Sequence, residues 1–351
     1  MMDWKDQKRT RKVTVQMVSP NSLDMVLGEL EGVVLDASSV SAAYYTDTRT
    51  SAKIRVIGES WIPDSFLRII VTTDGEERVL GTYRVYDVDA EEEAGTWSYD
   101  LTCQSMLYRI SKDEGAGALI IKSGVTAMQA AAQDLDFAGA TYEIDGNDAL
   151  INSPIAFDSG ANRLTQVMKL CTMADNRIDV NGYGVITISG YKEPSSMSPE
   201  LTLDMADPRG VIHSGISRST DRYSLENRVV VAYRANSGDS QNEIVGYADV
   251  DGNLSPATRG AVISDYRVVD SLNPATTAAA FDLARKYAKS KAPSFEWDIT
   301  TQYLPIWEGS VISLVVHDGA ETGERKCLVK NVDMNLGDLT MKLKLKEVAH
   351  D

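Results

Sequence analysis

Apolar residues recur at every second position through much of the first third of the chain. In Lys12–Val18, Val13, Val15 and Met17 share one side of an extended backbone, which predicts a half-buried strand. Similar patterns predict strands at Leu30–Leu35, Ser39–Tyr45, Ser51–Ile57, Phe66–Thr72, Thr82–Val88 and Thr96–Met106, with Asp74-Gly75 and the acidic loop Asp89–Gly95 between them. Short strands punctuated by turns predict a sandwich or small barrel. Closing a barrel also hides the edge strands that invite aggregation.

From Ser111 the texture changes. Gly115-Ala116-Gly117 reads as a linker, after which Val125, Met128, Ala132 and Leu135 recur at helical spacing. A second helix is predicted from Asn162, its N-cap, to Ala174, with Leu164, Val167, Met168 and Cys171 on one face. Arg177–Val180 and Val185–Tyr191 then form a hairpin across Asn181-Gly182-Tyr183-Gly184, where glycine supplies positive φ. Pro194–Pro199 is a second linker. Val211–Arg218 and Asn227–Tyr233 return to strand, and the run Val229-Val230-Val231 predicts burial on both faces. Asn273-Pro274 opens a helix to Lys289, capped by asparagine and started by proline. Its stripe comprises Ala278, Phe281, Leu283, Ala284, Tyr287 and Ala288, and Lys286, Lys289 and Lys291 suit its negative C-terminal end.

The stretch Pro293–Val348 repeats an earlier one. Phe66–Asp89 falls on Ser310–Asp333 without a gap: Val71 meets Val315, Asp74-Gly75 meets Asp318-Gly319, and Glu77 meets Glu321. Val85, Val88 and Asp89 likewise meet Val329, Val332 and Asp333. With the second copy's loop about two residues shorter, Tyr99-Asp100-Leu101-Thr102-Cys103 lands on Met341-Lys342-Leu343-Lys344-Leu345. Upstream, Lys53–Ile57 followed by Trp61-Ile62-Pro63 echoes Phe295–Thr300 followed by Pro305-Ile306-Trp307. This period far exceeds the roughly 20–50 residues of a solenoid. The expectation is therefore one β module used twice, in a mainly β fold with an α+β insertion.

Length and charge narrow the role. At 351 residues the chain is long enough for two or three domains of roughly 100–200 residues. No apolar run approaches the ~18 residues of a membrane helix, so no stable membrane insertion is expected. The polar, basic start Met1–Lys12 lacks the apolar stretch of a secretory signal. The net charge of −16 (35 basic, 51 acidic residues) opposes non-specific attachment to nucleic acid. Cys103, Cys171 and Cys327 have no paired spacing, which argues against a disulfide framework or zinc knuckle.

Catalytic patterns are hard to find. His213, His317 and His350 are scattered, without metal spacing. No GxSxG elbow or GxxxxGK loop occurs. The acidic group Asp87, Asp89, Glu91-Glu92-Glu93 keeps only one acid in the second copy, at Asp333, and reads as a solvated hairpin tip. Asp249-Val250-Asp251-Gly252-Asn253 resembles the start of a calcium loop but lacks its glycine at position six and its later glutamate. Trp61 and Trp307 sit in equivalent loops, where tryptophan serves as a core plug or subunit contact more often than as a ligand platform. No catalytic residue, metal or cofactor is expected.

The order of features resembles the tail hub proteins of tailed bacteriophages. It runs through Leu203-Asp204-Met205-Ala206-Asp207-Pro208-Arg209, Asn227-Arg228-Val229-Val230-Val231 and Val250–Arg259. It continues through Ala284-Arg285-Lys286-Tyr287-Ala288 and Pro305-Ile306-Trp307-Glu308-Gly309-Ser310-Val311-Ile312, where the family often has Gly-Asp in place of Gly309-Ser310. The helix–hairpin run Leu164–Tyr191 is similar to the segment between the family's two barrels. The resemblance implies a first β-barrel at 1–114, an α+β insertion at 115–205, and a discontinuous second barrel from 206–234 and 292–351. Residues 235–291 would be a loop and helix packed on the insertion.

It further implies a homotrimer whose six barrels form a near-sixfold ring in the virion at the tail tip, assembled in the host cytoplasm. Expected partners are a tail tube or distal tail ring protein, a tape-measure protein, and tip spike or fibre proteins. DNA would only pass through, without specific binding. Trp61, Ile62, Pro63, Pro305, Ile306 and Trp307 are the candidate subunit or partner contacts. Two alternatives compete: a tail-tip cell-wall hydrolase, whose catalytic domain usually lies beyond the second barrel, and a carbohydrate- or receptor-binding module using the two tryptophan loops.

Overall fold

The computed structural model describes residues 10–58, 64–113, 119–152, 154–157, 160–209, 211–213, 215–219, 226–234, 243–270, 276–289, 295–317 and 322–348. The first module comprises β1 (Arg11–Val18), β2 (Val26–Glu29), β3 (Ser39–Ala43), β4 (Thr50–Ile57), β5 (Phe66–Thr73), β6 (Glu76–Glu93) and β7 (Thr96–Gln104). A mixed block follows: α1 (Met106–Ser111), β8 (Leu119–Ile121), α2 (Ala127–Phe137), β9 (Tyr142–Asp145), β10 (Ile155–Phe157), α3 (Arg163–Met173), β11 (Asn176–Val180) and β12 (Ile186–Gly190). Then come β13 (Thr202–Asp204), β14 (Ser217–Ser219), β15 (Arg228–Arg234), β16 (Glu243–Asp249), α4 (Pro256–Arg259), β17 (Ser264–Asp270) and α5 (Thr277–Lys289). The chain ends with β18 (Glu296–Thr301), β19 (Val311–Val316), β20 (Gly323–Asn335) and β21 (Met341–Glu347).

The expected duplication is visible in strand order. In the first module β5, β6, β7, β4 and β3 lie side by side; in the second, β19, β20, β21, β18 and β14 do. The correspondence extends to single residues. Val85 faces Cys103, and the register slips before Asp87; Val329 faces Leu345, and the register slips before Asn331. An equivalent bulge thus bends the long hairpin strand in both copies. Ile54 opposite Leu101 matches Ile299 opposite Leu343. Inward positions of both modules, including Ile54, Leu101, Ile299, Leu343 and Val332, share one hydrophobic core. The modules join edge to edge in a 13-stranded sheet, and among the described residues the pairing does not close either module into a full ring.

The mixed block buries its own core between α2, α3 and the sheet β11-β12-β9. Asn162 caps α3 as expected, its side chain accepting from the Thr165 N–H at 2.8 Å. Thr126 and Gln129 form a capping box on α2, a feature the helical spacing alone did not announce.

Three expectations change. Leu30–Leu35 does not form a strand: Val33 makes a single bridge to Val56, and Leu35–Ala37 turns as a 3-10 helix. In Val211–Arg218 only the end is a strand, β14, with Ile212 bridging Thr301. Arg228–Arg234 does not join the second module. It is the middle strand of a separate sheet, antiparallel to β16 and parallel to β17. Val229 and Val231 face a third small core there, and Val230 on the other face is only half-buried. Helix α5 packs on this sheet because Gly246 leaves room: a Cβ there would sit 2.4 Å from the Ala280 carbonyl carbon. Asn273-Pro274 lies outside the described residues.

The seam between the modules as the candidate functional site

The long strand β20 changes neighbour halfway along one edge. Its first half pairs with β19, Val311 facing Leu328; its second half pairs with β3 of the first module, Asn331 facing Ala43 and Asn335 facing Ser39. Past the strand end, the Leu336 N–H donates to the Ser38 carbonyl at 3.0 Å, and Asn335 Nδ2 donates to the Asp36 carbonyl at 2.9 Å. The turn is seated tightly, since a Cβ on Gly337 would lie 1.9 Å from Asp36 Oδ1. Leu336, Leu339 and Met341 are buried, so the second module's hairpin is sealed against the first module.

The loop before β19 locks the mixed block onto this seam. Ile306 lies in the main core at 1% exposure, so it serves packing and presents no surface to a partner. Trp307 is half-buried and lines a cleft of about 190 Å³ with Arg78, Val79, Leu80, Val180, Asn181 and Gly182. A Cβ on Gly182 would come within 2.5 Å of the Val79 carbonyl oxygen, so this turn glycine permits close approach. Positive φ belongs to its neighbour Gly184, at 86°. Pro305 is half-buried, and Trp61, Ile62 and Pro63 lie outside the described residues.

Beside Trp307, groups from three parts of the chain converge. Arg177 stacks on the Tyr44 ring at 3.8 Å and pairs with Asp179 at 2.9 Å. Arg49, held at a φ of 60°, donates to the Ile178 carbonyl through Nη2 at 3.2 Å. Glu308 Oε2 is buried with no hydrogen-bond partner. Burial pushes the Glu308 carboxyl up to about 8; Asp179 adds to this, while Arg177 and Arg49 oppose it. Sequence reasoning missed Glu308, because a single loop glutamate carries no signal that Arg49 and Asp179 will enclose it.

The remaining sequence candidates lie away from this convergence. Among the described residues no group of three or more His, Cys, Asp or Glu is placed to hold a metal ion. His317 Nε2 contacts Asp204 Oδ1 at 2.7 Å on the surface, and the His213 N–H donates to Thr300; His350 lies outside the described residues. Asp249 is tied to Arg228 at 2.6 Å, and Gly252–Leu254 forms a 3-10 turn. Cys103, Cys171 and Cys327 are free and buried, and burial pushes each thiol up to about 12. No helix among the described residues is long and apolar enough to cross a membrane.

No protein-family model matches the chain, and no curated protein matches it. Solved structures do. A tail protein from Neisseria meningitidis MC58 superposes with a TM-score of 0.66 at 14% identity, covering 95% of this chain and 96% of that one. The 43 kDa tail protein of prophage MuSo2 from Shewanella oneidensis gives 0.63 at 10% identity, covering 97% and 98%. Prophage tail protein gp18 from Listeria monocytogenes gives 0.58 at 12% identity, covering 95% and 94%. At such identities the likeness speaks for architecture, and it runs nearly end to end in both partners of each pair: the chain has the fold of phage tail proteins.

Proposed function

We propose that the chain is a structural hub subunit of a phage tail tip or baseplate, acting in assembly and not in catalysis. Three copies form a ring of six β modules that adapts a sixfold tail tube to a threefold tip. The single observation that carries this reading is the repeated strand order joined through the β3–β20 seam. A chain that already holds two similar modules edge to edge supplies two of six near-equivalent positions. Three such chains then close by heterologous contacts. The fold of phage tail proteins supports the same reading.

In this arrangement 1–114 and the strands β13, β14 and β18–β21 make the ring, while the rest of 115–205 and the β15–β17 sheet with α5 stand outside it. One face meets a tail tube or distal ring protein, and the other meets spike or fibre proteins. The tape-measure protein ends at the channel and DNA passes through it. The net charge of −16 suits a wall along which DNA slides without adhering. The test is to label the chain on intact particles and to weigh the purified chain by native mass spectrometry. Expected are label at the tail end farthest from the head and a mass three times that of the 38.4 kDa chain. Label along the tube, or absent from the particle, overturns the placement.

A further inference from the structure

The two long hairpins are built alike but have different neighbours. In β20 the edge beyond Leu328 is occupied by β3. In β6 the pairing with β5 ends at Arg84, and among the described residues no strand lies beside the corresponding edge from Val85 to Glu93. Burial follows this difference. Val332 and Met334 are fully buried, whereas their counterparts Val88 and Ala90 are half-buried and exposed. Met341 is buried and its counterpart Tyr99 is not, while Trp97 beside Tyr99 is 44% exposed. Gly337 presses on Asp36, but Gly95, the turn glycine of the other hairpin, has nothing within 4 Å.

The strand that fills the slot inside one chain also has a counterpart. β3 pairs with β4, Ser39 facing Lys53; β14 pairs with β18, Ser217 facing Asp298. Lys53 and Asp298 are themselves equivalent, since they face the matching residues Thr102 and Lys344. β14 ends the sheet, with no strand on its outer side among the described residues. Among the described residues, each chain therefore carries an edge of β6 without a neighbouring strand and an end strand, β14, of the matching kind.

We propose that β14 of a second copy of this chain pairs antiparallel with the outer edge of β6, repeating between copies the seam that β3 and β20 make within one. The inference rests on the ring reading above and specifies its subunit contact. Transferring the β3–β20 register places Ser217 opposite Glu91, Arg218 opposite Ala90 and Ser219 opposite Asp89. The acidic hairpin then has a purpose. Asp87, Asp89, Glu91, Glu92 and Glu93 repel a second edge of the same kind, which stops two β6 strands from pairing with each other. β14 instead brings two uncharged serines and one arginine. Arg218 already lies over the rings of Phe295 and Trp297, at 4.5 and 5.5 Å. In the joint it comes to the face of β6–β7 that carries Tyr99 and Trp97. The contact is heterologous, so repeating it builds a ring and not a twofold dimer.

The test is disulfide trapping in the full chain. Glu91→Cys combined with Ser217→Cys places two thiols on directly opposed positions, where Cβ atoms lie about 4.5–5.5 Å apart. Asp89→Cys with Ser219→Cys is the second pair. Asp87→Cys with Ser217→Cys is the out-of-register control, and the native cysteines are buried. Oxidation is expected to give covalent dimers and trimers on a non-reducing gel for the two matched pairs, roughly tenfold above the control and the single variants. A trimeric native mass without enrichment of either matched pair overturns the edge joint while leaving the ring reading intact. A chain that stays single at every concentration overturns both.

Discussion

At the β20–β21 turn, Gly337 presses on Asp36, and Leu336 and Met341 are shut away from water. At the β6–β7 turn, Gly95 touches nothing, Trp97 is 44% exposed, and the strand leading to it ends in three glutamates. The two hairpins share an equivalent bulge and matching pairs as far as Ala90–Tyr99 and Met334–Met341, so the backbone does not separate them over that stretch. What separates them is the neighbour each one has. The residues have adapted accordingly, from Met334 and Leu336 in the sealed copy to Ala90 and Glu92 in the bare one. Duplication supplies two similar edges, and divergence decides which is filled by the chain itself.

The largest expected effect comes from breaking the sealed copy. Met334→Ala removes a fully buried side chain and is expected to destabilise the chain by about 2–5 kcal/mol in urea unfolding. Ala90→Ser, at the matching place, is expected to stay within about 0.5 kcal/mol in dilute protein. Similar losses at the two sites would mean that the hairpins are covered equally. Turn glycines come next. Gly337→Ala must push Asp36 aside and is expected to cost about 1–3 kcal/mol. In Gly95→Ala the only penalty is for the φ of 82°, about 1–2 kcal/mol, with no loss of contact between modules. Limited proteolysis should therefore open the seam in the first variant and not in the second.

Glu308 sharpens the comparison from the sealed side. Its carboxyl is held at about 8 in the fold, against an ordinary value near 4.5 in the unfolded chain. The folded state thus binds the proton more tightly, and the associated stability is present below pH ~4.5 and lost as pH rises towards 8. Unfolding between pH 5 and 8 is expected to show a falling contribution of up to about 1.4 kcal/mol per pH unit. Glu308→Gln should flatten that slope, and an unchanged slope would remove Glu308 from the account. The smallest effect belongs to the bare edge. Asp89→Asn with Glu91→Gln is expected to leave the stability of the single chain within about 0.5 kcal/mol. These substitutions should alter only the salt dependence of assembly, read by native mass at two ionic strengths.

The fold was legible where alternation is strict and where the chain repeats itself. The patterns of Lys12–Val18, Ser51–Ile57 and Phe66–Thr72 match β1, β4 and β5, and the repeat located β18–β21. Sheet membership was not legible. Val229-Val230-Val231 marks a buried strand without naming its partners, and β16 and β17 alternate too weakly, around Tyr247, Asp249 and Asp265, to stand out. Trp307 could be found as one of two equivalent tryptophans, and it stands half-buried at a cleft beside Val79 and Gly182. Glu308 could not, because its enclosure depends on Arg49 and Arg177, distant in sequence and brought near only by the seam.

The most direct test of the central claim is the rotational symmetry of the purified chain in electron-microscopy top views. The expected image is a ring of six similar lobes around a central hole, built by three chains and strictly threefold at higher detail. A twofold particle, or a ring whose lobe number equals its chain number, would contradict the account.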